Sequence, residues 1–216
     1  METRLDYANR MRRVRPFQFF GIEPQWNPEE RGDIEGFVHD EVVRQFHDTR
    51  VWDDGGKRIE YMLDAWYYAQ GEAHNLPTLE DILKLGAKVE PSYNATRNRP
   101  DGVFRNENVY IGTRMGVYPS YLHHCVELLV SKAADVDTGK SRGYANGKTL
   151  PDILQVEDFK EQLDLIETVD DWYLAYEWIH PFADGNGRTG KVLHNWLGGT
   201  LDDPVLVPDY FGGGNP

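Results

Sequence analysis

Positions 180 to 191 read His180-Pro181-Phe182-Ala183-Asp184-Gly185-Asn186-Gly187-Arg188-Thr189-Gly190-Lys191. This stretch brings a base, a carboxylate, a glycine turn and two cations close together. Apolar residues recur at steps of three or four on both sides of it, which predicts a helix before and a helix after. Pro181 ends the first helix and Gly198-Gly199 ends the second. We therefore expect a helix, a tight loop and a second helix.

The upstream pattern predicts one continuous amphipathic helix. Its apolar stripe is formed by Phe159, Leu163, Ile166, Val169, Trp172, Tyr173, Tyr176 and Ile179. Other helices are predicted from Asp33 to about Thr49, around Ile59 to Ala69, after the capping residue Thr78 and after Pro119-Ser120.

The glycines of the loop indicate a site for phosphate. Gly185 and Gly187 let the backbone turn sharply and approach a ligand, and the first amides of the next helix are left unpaired. Such a helix start binds anions. Arg188 and Lys191 lie three residues apart, so both can add cationic donors to a polyphosphate.

Two further residues of the loop have the right chemistry for phosphate transfer. Asp184 can hold Mg²⁺ shared with phosphate oxygens, and His180 can serve as a base near neutral pH. Each of these residues alone is more often structural, and their joint occurrence favours a phosphate site. A phosphate-loop NTPase is a poorer match, because Val192 stands where that motif needs Ser or Thr.

The run from His180 to Arg188 resembles the signature of the Fic family, H-P-F-x-(D/E)-G-N-G-R-x-x-R. Lys191 departs from it, since the family usually has a second arginine there. Fic proteins are helical enzymes; most transfer AMP from ATP to a hydroxyl of a target protein, and some relatives transfer other phosphate-containing groups or phosphorylate. The resemblance implies a mainly α fold, a helical bundle with a short β-hairpin flap.

The resemblance also implies roles for single residues. His180 would take the proton of a target Ser, Thr or Tyr hydroxyl as it attacks the α-phosphorus of ATP. Asp184 would hold Mg²⁺ bridging the phosphates. Asn186 and Arg188 would join His180 and Asp184 as catalytic residues, and Arg188 with Lys191 would bind the outer phosphates and stabilise the leaving pyrophosphate. The positions that would bind the nucleotide phosphates are Gly185, Asn186, Gly187, Arg188 and Lys191.

A second resemblance concerns the start of the first predicted helix, Arg31-Gly32-Asp33-Ile34-Glu35-Gly36. It is similar to the inhibitory motif (S/T)-x-x-x-E-(G/N) of some Fic proteins, with Arg31 in place of Ser or Thr. In those relatives the glutamate pairs with the second arginine and blocks the γ-phosphate. Here Glu35 would meet Lys191 through a point charge, which would give weaker inhibition. The alternative is a first-turn carboxylate that complements the helix dipole.

A hairpin is predicted around the turn Asn106-Glu107-Asn108, between Val103-Phe104-Arg105 and Val109-Tyr110-Ile111-Gly112. It resembles the Fic flap, whose strand edge pairs with the target. The docking edge would be formed by Val109, Tyr110, Ile111 and Gly112. Ile111 would clamp the target side chain. The alternative is a plain hairpin that covers the core.

The chain of 216 residues fits one domain. We expect an N-terminal arm at 1–32, the Fic domain at roughly 33–200 and an irregular tail at 201–216. A net charge of −13 argues against nucleic acid as a partner. The single Cys125 suits a reducing cytosol, and we expect it to be buried on a helix. No membrane span or signal peptide is visible, so we expect a cytoplasmic protein.

The sequence therefore favours a protein adenylyltransferase that uses ATP and Mg²⁺ on a target protein. Self-association into a homo-oligomer stays open. Two alternatives follow from Lys191: a phosphotransferase, or an enzyme that removes AMP. A nucleotide-binding regulator without turnover is the alternative from a different functional class.

Overall fold

The protein is described by a computed structural model at residues 25–27, 30–46, 56–111, 114–138 and 156–208. This part of the chain is mainly helical, as predicted, with one short hairpin. In chain order the elements are α1 (Ile34–Phe46), α2 (Lys57–Glu72), α3 (Leu79–Val89), α4 (Pro91–Asn94), β1 (Tyr110–Ile111), β2 (Arg114–Met115), α5 (Leu122–Lys132), α6 (Val156–Gln162), α7 (Val169–Ile179) and α8 (Asn186–Leu197). Short 3₁₀ turns cover Pro119–Tyr121 and Leu163–Leu165.

Two helices begin with the same capping box. The Thr78 side chain accepts from the Asp81 amide at 3.2 Å while the Asp81 carboxylate accepts from the Thr78 amide at 2.9 Å, which starts α3 as predicted. Thr168 and Asp171 make the same exchange and start α7. The prediction of one long upstream helix is therefore wrong, because this cap separates α6 from α7.

Helix α8 is the central element of the core. It packs against α7, α2 and α3, while α5 packs on the other side of α7. Indole N–H groups tie these layers to neighbouring carbonyls: Trp66 donates to Leu201 at 2.9 Å, and Trp172 donates to Leu129 at 2.8 Å. The loop before α8 is thus held by helices on several sides.

The packed unit extends past both predicted domain boundaries. Before residue 33, Trp26 is buried and meets the Phe37 ring edge-on at 5.2 Å between centroids. After residue 200, Leu201 and Leu206 are buried, and the Asn195 amide bonds the backbone of Val205. Residues 1–24, 28–29 and 209–216 lie outside the described part, with most of the predicted arm and the end of the tail.

The described helices show two further features. Cys125 is buried on α5, as expected. None of the helices in the described ranges has the length and apolar character needed to cross a membrane.

Gly86 is the point where α3 touches the loop, because a Cβ there would overlap the ring of Phe182. We expect Gly86→Ala to lower the free energy of unfolding by about 1–3 kcal/mol, the usual cost of overpacking a core. Gly71 in α2 is the matched control, since a Cβ there would meet no atom within 4 Å. Gly71→Ala should instead stabilise the helix by about 0.5–1 kcal/mol. Urea unfolding of both variants measures the two free energies. The same change in both variants would contradict the close contact between Gly86 and Phe182.

Candidate active site

His180 lies at the end of α7 in an unusual backbone conformation. Its φ of 50° and ψ of 61° are left-handed, and it is the only non-glycine with positive φ among the described residues. The His180 amide still donates to the Tyr176 carbonyl at 3.0 Å, and Pro181 then prevents the helix from continuing. The chain leaves the helix axis here, so the imidazole lies at the entrance to the loop.

The imidazole of His180 is held in one tautomer. Nδ1 lies 3.2 Å from the Glu177 carbonyl, and because a carbonyl only accepts, Nδ1 carries the hydrogen. Nε2 is therefore the free basic nitrogen. Burial lowers the pKa of His180 to about 4; the Arg105 cation also lowers it, whereas the Glu177 carbonyl and the Asp184 carboxylate oppose the shift. The imidazole is neutral at pH 7 and can accept a proton.

The loop backbone is fixed from inside by two asparagines. The Asn186 side chain accepts from the Phe182 amide at 2.9 Å and donates to the Phe182 carbonyl at 2.8 Å. Asn94 of α4 donates to the carbonyls of Asp184 at 2.7 Å and Gly86 at 3.0 Å. Asn186, predicted to bind phosphate, thus uses its side chain to close the loop, which leaves its amide at the start of α8.

Gly185 and Asp184 form the turn into α8. Gly185 has φ 80°, and a Cβ there would lie 3.0 Å from a Val89 methyl and 3.2 Å from the Glu90 Cβ, so the position requires glycine. Helix α8 opens with the amides of Asn186, Gly187 and Arg188, the end where a helix leaves its first donors without partners in the helix. The positive end of the α8 dipole therefore faces this turn.

Asp184 is the loop carboxylate available to a cation. One of its oxygens accepts from the Gly185 amide at 2.6 Å, and its side chain is 39% exposed. Among the residues that the structure describes, no three His, Cys, Asp or Glu side chains are placed to hold a metal together. A cation at Asp184 would share it with a ligand and water.

Arg188 is placed differently from the prediction. Its side chain is 0% exposed, with Nη2 2.9 Å from the Glu90 carboxylate and Nη1 donating to the Val89 carbonyl at 3.0 Å. The Asp184 carboxylate lies 3.8 Å from Nη2. Arg188 thus joins the loop to the end of α3 instead of presenting a cation to phosphate.

Lys191 is paired with a carboxylate other than the predicted one. Its Nζ lies 2.8 Å from Oε2 of Glu41, and both side chains are buried. Glu35 is exposed in the first turn of α1. The predicted partner is therefore wrong: position 35 faces solvent, and Glu41 on the buried side of α1 reaches Lys191.

The hairpin has a different register from the predicted one. Tyr110 pairs with Met115 and Ile111 with Arg114, so the strand opposite β1 follows it instead of being Val103-Phe104-Arg105. That earlier segment is bound elsewhere: the Val103 amide donates to Asn94 and the Arg105 amide to Pro181.

The side chains of the hairpin also differ from the prediction. Ile111 is 7% exposed and belongs to the buried core, whereas Tyr110 is 72% exposed. The side chain of Ile111, the predicted clamp, is therefore buried, and Tyr110 presents the exposed ring of β1. Val109 precedes β1 and its carbonyl accepts from Gly116 at 3.0 Å. Gly112 lies outside the described residues.

Four residues of the site were not assigned by the sequence analysis: Glu41, Glu90, Asn94 and Arg105. One signal was available for Glu41, which lies four residues after Phe37 on the apolar face of α1. The other three are contacts between segments distant in sequence, which a local pattern does not reveal.

A histidine at a helix end, a glycine turn and a second helix, set in a mainly helical core, define the class of fold. The model of the Fic/DOC family matches residues 77–197, which is more than half of the 216 residues. A Fido domain-containing protein of Dictyostelium discoideum is 33% identical over 110 residues, covering 50% of this chain and 61% of that protein. The chain thus spans less than two thirds of that relative.

The chain therefore belongs to the Fic/DOC family. Family membership supports group transfer as its class of activity. Helix α1 with Glu41 lies before the matched residues, whereas its partner Lys191 lies within them.

Proposed function

We propose that the protein is an adenylyltransferase that transfers AMP from ATP to a Ser, Thr or Tyr hydroxyl of a target protein. The observation that carries the proposal is the fixed, neutral imidazole of His180 at one end of the short loop that leads to the amides opening α8. A base and an anion site in this arrangement suit an attack by a hydroxyl on a phosphate.

In the proposed reaction, the hydroxyl oxygen of the target attacks the α-phosphorus of ATP. An O–P bond forms, the bond from the α-phosphorus to the bridging oxygen breaks, and pyrophosphate leaves with the bonding electrons. Nε2 of His180 accepts the hydroxyl proton, because Nδ1 already carries a hydrogen bonded to Glu177. Positioning and electrostatic stabilisation supply most of the catalysis in phosphate transfer.

The nucleotide phosphates would lie against the turn at Gly185, Asn186 and Gly187. The half-exposed carboxylate of Asp184 fits a hard cation such as Mg²⁺, with one oxygen held by its own loop. Bound there, Mg²⁺ would neutralise phosphate charge. The backbone amides, more than the buried Arg188, would contact phosphate in the described conformation.

Lys191 can bind the outer phosphates only when it is released by Glu41. A buried carboxylate at 2.8 Å competes with phosphate for the same ammonium group. We therefore assign to Glu41 the inhibitory role that the sequence suggested for Glu35. An ammonium lacks the planar fork of an arginine, so phosphate can displace this contact more readily.

The target protein would dock on the hairpin. The edge of β1 can pair with an extended segment of the target, and the exposed ring of Tyr110 offers apolar contact beside it. The two-residue strands make this a short docking site. The target would present its hydroxyl next to His180.

Transfer from ATP labelled at the α or the γ position, with Mg²⁺ and cell lysate, tests the proposal. We expect protein label from the α position only, raised about 5- to 150-fold in Glu41→Gln, the range for couplings of 1–3 kcal/mol. The exposed Glu35→Gln variant is the matched control and should equal wild type. A rise in Glu35→Gln alone would instead restore the sequence prediction.

The same experiment separates the alternatives. Label from the γ position indicates a phosphotransferase, and loss of AMP from a labelled protein indicates an enzyme that removes AMP. ATP binding measured by calorimetry, without label in any variant, indicates a nucleotide-binding regulator. Each of these results overturns the adenylyltransferase proposal.

A further inference from the structure

Arg105 bonds the junction that carries His180. Its amide donates to the Pro181 carbonyl at 3.0 Å, its Nε to the His180 carbonyl at 2.7 Å and its Nη2 to the Ile179 carbonyl at 3.3 Å. Three consecutive carbonyls therefore accept hydrogen bonds from one buried residue. The carbonyls of Ile179 and His180 lie where α7 ends and lack partners within the helix, so they need other donors when they are buried.

The same guanidinium contacts the chain on both sides of the hairpin. Nη1 donates to the Glu107 carbonyl, before β1, and Nη2 donates to the Val117 carbonyl, after β2, both at 2.6 Å. The hairpin also lies close to the base, since a Cβ at Gly116 would be 3.0 Å from Nη2 of Arg105 and 3.5 Å from the His180 Cβ. Arg105 thus contacts both the segments that flank the hairpin and the backbone of His180.

The backbone of His180 needs such support. A left-handed conformation is unfavourable for a residue with a side chain and persists only where the surroundings enforce it. The planar fork of an arginine can donate in several fixed directions at once, which a lysine cannot reproduce. Burial lowers the pKa of Arg105 to about 10, so the group remains a cation at neutral pH.

We propose that Arg105 is a positioning residue that keeps His180 in a fixed position relative to the hairpin. The inference rests on the proposed function, in which the hairpin holds the target and His180 takes its proton. Because one side chain fixes both the hairpin and His180, a target hydroxyl held by the hairpin is aligned with the imidazole of His180. Misplacement of reacting groups by about 1 Å costs on the order of 100-fold in rate.

Arg105→Gln and Arg105→Lys test this, with the exposed Arg97→Gln as the matched control. We expect kcat of α-label transfer to fall roughly 100-fold in Arg105→Gln, with an intermediate value in Arg105→Lys. The KM for ATP should stay near wild type, because Arg105 bonds the 179–181 carbonyls and the hairpin. Arg97→Gln should match wild type in both constants.

A spectroscopic readout separates positioning from general loss of structure. Nitrogen-15 spectra of the imidazole should show the Nδ1–H tautomer of His180 in wild type and a tautomer mixture in Arg105→Gln. If the Gln variant does not fold, Arg105→Lys is measured in its place. Wild-type kcat and a wild-type imidazole spectrum in the variant would overturn the inference. If wild type transfers no label, the proposed function fails, and the imidazole spectra still decide the role of Arg105.

Discussion

Glu90→Ala is expected to lower the free energy of unfolding by about 3–5 kcal/mol, because it leaves the buried cation of Arg188 without its carboxylate. The pair is made at 2.9 Å between side chains that are almost completely buried. The Asp184 carboxylate, 3.8 Å from the same nitrogen, is too exposed to replace Glu90. Urea unfolding followed by circular dichroism measures the loss.

The Lys84–Glu80 pair provides a surface control with a similar N–O distance. Its atoms approach to 2.7 Å, but the Glu80 side chain is 71% exposed. Glu80→Ala should therefore leave stability within the error of the measurement. Combining Glu90→Leu with Arg188→Met should recover most of the stability, because both charges then leave the interior together. A Glu90→Ala variant as stable as Glu80→Ala would show that the buried pair does not form in solution.

The double variant also bears on the role of Arg188. Its guanidinium joins the loop to the last turn of α3, so its first effect is on the shape of the turn at Gly185. If the stable double variant keeps ATP affinity, phosphate binding rests on the amides of α8. Loss of ATP affinity in the double variant would support the phosphate-binding role that the sequence suggested for Arg188.

Features set by neighbouring residues were predictable from the sequence. The glycine turn between two helices, the cap at Thr78 and the buried stripe of α5 all depend on residues a few positions apart. The second capping box, at Thr168, follows the same local rule. It was missed because the apolar periodicity of α6 and α7 continues across the break.

The hairpin shows the limit of local patterns. A turn at Asn106-Glu107-Asn108 was predicted, but the preceding segment is bound to Asn94 and Pro181, both outside the hairpin. The strands lie on either side of Gly112-Thr113, and a two-residue connection with glycine first is a good hairpin signal. The amides of Val103 and Arg105 bond to residues outside the hairpin, so a different segment pairs with β1.

Glu35 and Glu41 lie on different faces of α1, and this decides which of them reaches Lys191. Residues 34, 37 and 41 are three and four apart, so Glu41 lies on the face that Ile34 and Phe37 bury. Glu35 follows Ile34 directly and points elsewhere. A motif resemblance selected Glu35, whereas the periodicity selects Glu41, a charge buried where it needs a partner.

His180→Ala is expected to lower α-label transfer by about 10²–10⁴-fold, the usual contribution of a general base. The loss should fall on kcat, while ATP binding by calorimetry stays close to wild type, because the phosphates would contact the α8 amides. His74, which is exposed after α2, is the matched control, and His74→Ala should retain full transfer. Transfer that persists in His180→Ala would show that another group accepts the proton.

The pH dependence of transfer gives a second test of the same base. Because burial lowers the pKa of His180 to about 4, the imidazole stays neutral well below its ordinary pKa of 6.5. A base works in its deprotonated form, and kcat/KM reports the free enzyme, so kcat/KM should stay level from pH 7 down to about 5 and fall only below that. An acid limb of kcat/KM near 6.5 would mean that His180 is open to solvent in the free enzyme. The free energy of unfolding should also fall as the pH is lowered from 6.5 towards 4, because His180 binds its proton at a higher pH in the unfolded chain than in the folded protein. The His180→Ala variant should lack this part of the decrease.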